Sequence, residues 1–255
     1  MTAFSALKPK KVLFIATRQI GDVLVTTPLI SQARELWPDA EFHFLGYRGK
    51  LDMLKGNPHV TQIIETSDRP KLKEYLSLVF RLFQRYDLAV LTQPSDRTYF
   101  YGLIAAHQRV GVLGGHPQGL TEQDKAKKSK SDKQNAWKKA ISLHTVDVDY
   151  FAQHVITEKL RLLEVFCLNP LELFKKPISV TAPACDPITP SIAAQLRSPY
   201  VVVHPGPLTA YKRWPLAYWQ TLLTWITKQG WQVVLSASPA KQDLQLNQDI
   251  LSLLD

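Results

Sequence analysis

The sequence predicts an α/β protein made of two parallel-sheet units, the second of them incomplete. Three observations carry that expectation. Short β-rich apolar runs alternate with helix-length stretches, the pattern of βαβ units. The alternation breaks at Lys125, first in a lysine-rich stretch and later in a proline-studded connector. It resumes at Tyr200 with two further strand candidates.

In the first unit the strands are expected at Val12 to Ala16, Glu41 to Leu45, Gln62 to Glu65, Leu88 to Thr92 and Arg109 to Leu113. Helical periodicity is clearest over Val23 to Leu36, Lys71 to Arg85 and Thr98 to His107. Right-handed crossovers put those helices on both faces of the sheet. The segment DKAKKSKSDKQNAWKK, within a basic stretch spanning 120–140, reads as a solvated loop. An amphipathic helix is expected from Val148 to Phe166, with Val155, Ile156, Leu160, Leu163 and Phe166 on its apolar side. The connector PISVTAPACDPITP suits an interdomain linker.

The second unit starts with YVVVHPG. A helix from Leu216 to Lys228 stops at Gly230, followed by a strand from Trp231 to Ser236 and a helix from Lys241 to Leu254. The domain expectation is therefore 1–170, a linker over 171–199, and the start of a second domain over 200–255. Two strands cannot bury both faces of a parallel sheet, so the second unit is expected to be a fragment or to be completed by something else.

Composition narrows the class. An apolar content of 45% is ample for a buried core, and no run approaches the ~20 apolar residues of a membrane span. The apolar run near the start ends in Thr17-Arg18 without a small-residue cleavage site, so it reads as a strand and not as a signal peptide. Cys167 and Cys185 are too far apart for a metal knuckle and too few for a disulfide scaffold, which fits a reducing cytoplasm. The net charge of +9 favours an anionic partner: nucleic acid, a phosphorylated glycolipid, a membrane surface or a nucleotide. No nucleic-acid recognition motif is present, and that partner is ranked last.

Three turns are placed for chemistry, since ligands gather at the carboxyl ends of parallel strands. After the first strand comes Arg18-Gln19-Ile20-Gly21-Asp22. Gly21 permits a tight strand-to-helix turn. Asp22 reads either as a general base at the cleft edge or as a helix N-cap, and Arg18 either pairs with an anionic substrate or neutralises a neighbouring carboxylate. After the fourth strand, Gln93-Pro94-Ser95-Asp96-Arg97 offers polar side chains to a sugar, with Ser95 or Asp96 as an N-cap in the alternative. In the second unit, His204 to Pro215 links strand to helix. Its backbone amides and the mobile charge of Lys212 suit a diphosphate, unless this is a plain loop with surface cations. No Walker motif, HExxH, GxSxG or Cys/His metal spacing occurs.

Taken together, RQIGDVLVTTPLI, ARELWPDAEFHFLG, GNPHVTQII, VVVHPG, KRWP and WQTLL resemble glycosyltransferase family 9, the bacterial ADP-heptose lipopolysaccharide heptosyltransferases. The resemblance covers Lys11 to Gly114 and Tyr200 to Ser236, leaving out the lysine-rich middle. It implies a GT-B-like fold with two Rossmann-type domains, acceptor on the first and ADP-heptose on the second. It implies inverting, metal-independent transfer with no cofactor. By position, Asp22 resembles the acceptor-activating base and Lys212 the residue that stabilises the departing ADP phosphates, the two facing one another across a cleft. Arg18 is assigned to acceptor and Thr209 to phosphate. The implied acceptor is a lipid A-linked inner-core oligosaccharide, met by a cytoplasmic protein that is peripheral on the inner membrane. The sequence departs from the family at SASPAKQD, where Lys241 and Gln242 stand in place of a glycine-rich turn and a nucleotide-contacting glutamate, with Asp243 as the candidate substitute for that glutamate. The family's later donor-binding Asp-Ser-Gly…His segment has no counterpart within the 255 residues, so the alternative expectation is a truncated transferase or a non-catalytic glycan- or nucleotide-binding remnant.

Overall fold

The computed structural model describes residues 7–114, 133, 135–148, 153–175, 179–206 and 210–253. They form two compact units that divide between Cys185 and Asp186.

The first unit is a parallel sheet of six strands: β1 Lys11–Ala16, β2 Glu41–Tyr47, β3 Gln62–Thr66, β4 Tyr86–Leu91, β5 Ala106–Leu113 and β6 His144–Asp147. Their order is β3-β2-β1-β4-β5-β6. All five expected strands are present. The sixth was not legible because only Val146 of its four residues is buried, so HTVD carries no apolar pattern. It pairs with β5 in parallel, Val110 opposite His144.

The run KVLFIA in β1 is buried from Val12 onward because helices cover both faces. Alternate side chains point to opposite faces. Val12, Phe14 and Ala16 pack with Leu29, Ile30, Leu160 and Leu163, while Leu13 and Ile15 pack with Leu78, Leu82, Tyr99 and Tyr101.

The helix expected over Val23 to Leu36 is broken into α1 Ile20–Leu24 and α2 Thr27–Leu36. Pro28 supplies no N–H to continue the ladder. The neighbouring threonines take over: Thr26 Oγ1 donates to the Asp22 carbonyl at 2.7 Å and Thr27 Oγ1 to that of Leu24 at 2.8 Å. Helices α3 Leu72–Leu82 and α4 Asp96–Ala105 lie close to their expected positions. The long helix expected to reach Phe166 is shorter, α5 Val155–Leu160 running on as a 3₁₀ turn, Arg161–Phe166. His154 caps α5, its Nδ1 accepting from the Ile156 amide at 3.3 Å.

Part of the lysine-rich stretch is not a solvated loop. Residues 135–140 are helical, and Lys138 is buried with its Nζ on the Pro94 carbonyl at 2.6 Å and on Asp96 Oδ1 at 2.7 Å. An ion pair and a carbonyl offset the burial of that ammonium. Residues 120–132 and 134 of the stretch lie outside the described residues. Further on, the connector is tied to the first unit, Thr181 N donating to Thr27 Oγ1 at 2.9 Å and Ala184 N to the Lys55 carbonyl at 2.7 Å.

In the second unit, β7 Tyr200–Val203 and β8 Gln232–Leu235 pair in parallel. Val203, Leu223, Ile226, Leu246 and Ile250 form its core with helices Leu216–Lys228 and Lys241–Leu251. Gly230 follows the first of these helices at φ 78°, the left-handed stop that the sequence predicts.

Candidate active site at the carboxyl edge

The strand order reverses between β1 and β4, and the sheet's crevice opens there. Thr92 Oγ1 reaches the Ile15 carbonyl at 2.9 Å across the switch. Thr17 Oγ1 meets Thr98 Oγ1 at 2.8 Å, and Ser95 Oγ meets the same hydroxyl at 2.7 Å. These hydroxyls fix the β1–α1 turn against the start of α4.

Asp22 stands half-buried in that turn. It is not the N-cap. Gln19, extended at φ −78° and ψ 164°, holds that place, and Asp22 is the third helical residue. Its Oδ2 accepts from the Gln19 amide at 3.2 Å, capping α1 from inside. Among the described residues, Oδ1 carries no such bond. Gly21 lies within α1 in open space, so no steric demand of the turn selects glycine there. What it leaves is room beside Asp22.

Arg18 and Gln19 line a cavity of about 310 Å³ with Tyr47, Arg48, Lys50, Ser67 and Asp68, at the carboxyl ends of β1, β2 and β3. Arg97 joins its rim, Nη1 donating to Tyr47 Oη at 3.0 Å and to the Asp68 carbonyl. Arg48 is shared with Glu65 at 3.7 Å. Guanidinium and ammonium groups gathered in a polar cavity suit a phosphate or carboxylate. The structure thus brings Arg18 and Arg97 to one rim.

Ser95 and Asp96 serve the protein's own structure. Ser95 is the N-cap of α4, its Oγ accepting from the Thr98 amide at 3.2 Å, and Asp96 is paired with Lys138. Beside them Gln93 is buried, and among the described residues neither of its amide atoms has a hydrogen-bond partner.

In the second unit His204 Nδ1 meets Ser236 Oγ at 2.9 Å. Asp243 is buried against the βα turn, accepting from Ser238 Oγ at 2.5 Å, and its Oδ1 lies 3.1 Å from where a Cβ on Gly206 would sit. Lys212 ends a 3₁₀ turn, Ala210–Lys212, its Nζ 5.8 Å from the exposed Tyr211 ring. Arg213, Lys241, Gln242 and Asp249 line a second cavity, of about 350 Å³. Thr209 lies outside the described residues.

One group at the first site was not singled out from the sequence. Lys159, only 3% exposed, donates through Nζ to Thr26 Oγ1 at 2.8 Å and to the Asp22 carbonyl at 3.3 Å. Burial pulls its pKa down to about 8, with the Asp22 charge opposing and the Arg18 charge adding to the shift. The available signal was a lysine on an apolar helix face, with Ile156, Leu160 and Leu163 at helical spacing around it.

The family model for glycosyltransferase family 9 (heptosyltransferase) matches residues 118–255, lysine-rich stretch included. The chain is 25% identical over 239 residues to lipopolysaccharide heptosyltransferase 3 of Escherichia coli strain K12, covering 89% of this chain and 63% of that protein. It is 24% identical over 236 residues to lipopolysaccharide heptosyltransferase 1 of Pseudomonas aeruginosa, covering 88% and 60%. The chain therefore spans about three-fifths of the length of these relatives. Among solved structures it resembles a family 9 glycosyltransferase of Veillonella parvula, with a TM-score of 0.67 and 15% identity over 95% of this chain and 66% of that one. Escherichia coli heptosyltransferase WaaC with ADP gives a TM-score of 0.59 and 14% identity, over 94% and 70%. The α/β architecture is that of GT-B glycosyltransferases. The chain belongs to glycosyltransferase family 9.

Proposed function

We propose that this chain is the acceptor-side domain, and part of the nucleotide-sugar domain, of an enzyme that transfers heptose from ADP-heptose to the lipopolysaccharide inner core. The observation that carries the reading is the Asp22 carboxylate. It is anchored through Oδ2 in the first turn of α1, beside a cationic cavity at the carboxyl edge of the sheet. With Oδ1 toward an acceptor hydroxyl, Asp22 takes its proton as the oxygen attacks the anomeric carbon. The sugar–phosphate bond breaks on the opposite side, which inverts the configuration. Lys212 meets the charge that grows on the leaving diphosphate and takes the place a metal would otherwise fill. Arg18, with Arg97 at the same rim, binds a phosphate of the acceptor. Support for the donor class comes from solved structures of heptosyltransferase WaaC with ADP and with ADP-2-deoxy-2-fluoro heptose.

A lipid-linked acceptor calls for a peripheral position on an anionic membrane, and one surface of the first unit supports it. Helix α3 buries Leu78 and Leu82 on one side and presents Leu72, Leu76 and Phe80 to solvent on another, Phe80 at 75% exposure. Phe83 continues this second stripe, and Phe100 of α4 joins it through a stacked contact with Tyr75 at 6.1 Å. Lys71, Lys73, Arg81 and Arg85 belong to the same segment. A helix with a second, exposed apolar stripe among cations matches the chemistry of an anionic lipid surface.

The test is transfer from ADP-heptose to a heptose-deficient lipopolysaccharide by this chain and its Asp22→Asn variant. Turnover in the parent, lost in the variant with acceptor binding retained, is expected. Acceptor binding without turnover in the parent would identify an acceptor-domain fragment or a binding remnant instead.

A further inference from the structure

We infer that Lys159 is a positioning residue for Asp22, its buried ammonium holding the Asp22 carbonyl and thereby the helical turn that presents the carboxylate. The inference rests on Asp22 being the base.

The Asp22 carbonyl has lost its normal helical partner, because the Thr26 amide turns to the Val23 carbonyl at 3.0 Å. Two side-chain donors replace it, Thr26 Oγ1 at 2.7 Å and Lys159 Nζ at 3.3 Å, and these two are joined at 2.8 Å. The break between α1 and α2 thus creates an acceptor, and α5 carries a cation to it from 137 residues away.

That cation is costly where it stands. It is 3% exposed, and among the described residues no carboxylate lies within ion-pair distance of it. The charges that act on it are Asp22 and Arg18, both in the β1–α1 turn. A core built for stability alone would fill such a position on the apolar face of α5 with leucine or methionine. A lysine kept there serves the turn it holds. Its ammonium carries positive charge at the C-terminal end of α1, where the carbonyls gather, and restrains the residue whose carboxylate must meet a hydroxyl within hydrogen-bond reach.

Amide NMR of the whole chain, titrated from neutral to alkaline pH, tests the inference together with the transfer assay. The Asp22, Val23 and Thr26 amides should move through one ionisation near the value to which burial brings Lys159, about 8. That step should vanish in Lys159→Met and in Lys159→Gln, which keeps a donor without charge, while the Val90 amide in the sheet reports an intact fold. Transfer by the Met variant should fall about 10- to 100-fold in kcat, the cost of a base displaced by a fraction of an ångström, with KM for the nucleotide sugar unchanged. Absence of the ionisation in the parent, its persistence in the variants, or undiminished transfer by Lys159→Met would overturn the inference alone. Transfer by Asp22→Asn equal to that of the parent would overturn the reading of Asp22 as base and leave the lysine nothing to position.

Discussion

Replacing Lys159 with methionine separates a cation kept for function from one kept for stability. Burial lowers the lysine from about 10.5 to about 8 in the folded chain. At about 1.4 kcal/mol for each tenfold change in proton affinity, holding it charged at neutral pH costs about 3 kcal/mol. The side chain is 3% exposed, so solvent screening takes little from that figure. Methionine removes the cost and loses two hydrogen bonds, worth about 0.5–1.5 kcal/mol each. Thr26 Oγ1 keeps its bond to the Asp22 carbonyl, so no hydroxyl is orphaned. The net expectation is a variant at least as stable as the parent at neutral pH, by up to about 2 kcal/mol. The sign follows from linkage. The folded value lies below the unfolded one, so between about 8 and 10.5 the unfolded chain binds the extra proton. The parent's penalty is therefore full below about 8 and relieved as pH rises toward 10.5. Urea unfolding of both proteins at neutral and at alkaline pH measures the gap, other titrations cancelling in the difference. A variant less stable than the parent at neutral pH, or a gap that does not change with pH, would mean that Lys159 is not held charged at a cost.

Four other outcomes are expected. Gly46→Ala should destabilise the first unit by about 1–3 kcal/mol in urea unfolding, because the new Cβ would stand 2.4 Å from Leu51 Cδ2 and 2.9 Å from the Ala16 carbonyl oxygen. Burial and Lys11 push the His43 pKa below its ordinary value, against the pull of Glu41, while Nδ1 holds Tyr86 Oη at 2.9 Å. Stability from this neutral histidine is full above the unfolded value of 6.5 and is lost as pH falls below it. His43→Gln should flatten the acid side of the stability profile, and an unchanged profile would count against the assignment. Flotation with vesicles containing anionic lipid should recover the parent, whereas Phe80→Glu with Phe83→Glu should stay in the soluble fraction. Equal recovery of both would remove α3 as the membrane surface, and self-association of the parent would assign the stripe to a second copy. Arg18→Gln should raise KM for a phosphorylated acceptor about tenfold, one charge-assisted pair at about 1.4 kcal/mol. An equal change with a dephosphorylated acceptor would mean that Arg18 binds something else.

Much of the site was legible because it lies where the fold rule puts ligands. Strand-then-helix patterning around Arg18 to Asp22 and around Gln93 to Arg97 locates both segments at the carboxyl edge before any coordinates are known. The roles inside them were less legible. Whether Ser95 or Asp96 caps α4 depends on one hydrogen bond, and Asp96 is drawn to Lys138, a lysine whose local sequence reads as solvated. The cavity cations Arg48 and Lys50 follow β2, and no local pattern distinguishes them from surface charge.

By itself the sequence determined the alternation of five strands with covering helices, the left-handed stop at Gly230 and the presence of an acid at the first crossover. These are local properties, written in side-chain period, glycine placement and turn length. Only the tertiary structure decided which groups meet. Lys159 shows the difference. Its place on the apolar face of α5 can be read from its neighbours, but its partner is a carbonyl set free by the Thr-Thr-Pro break far earlier in the chain. A buried cation takes the acceptor that packing brings to it, and packing joins residues that no local pattern connects.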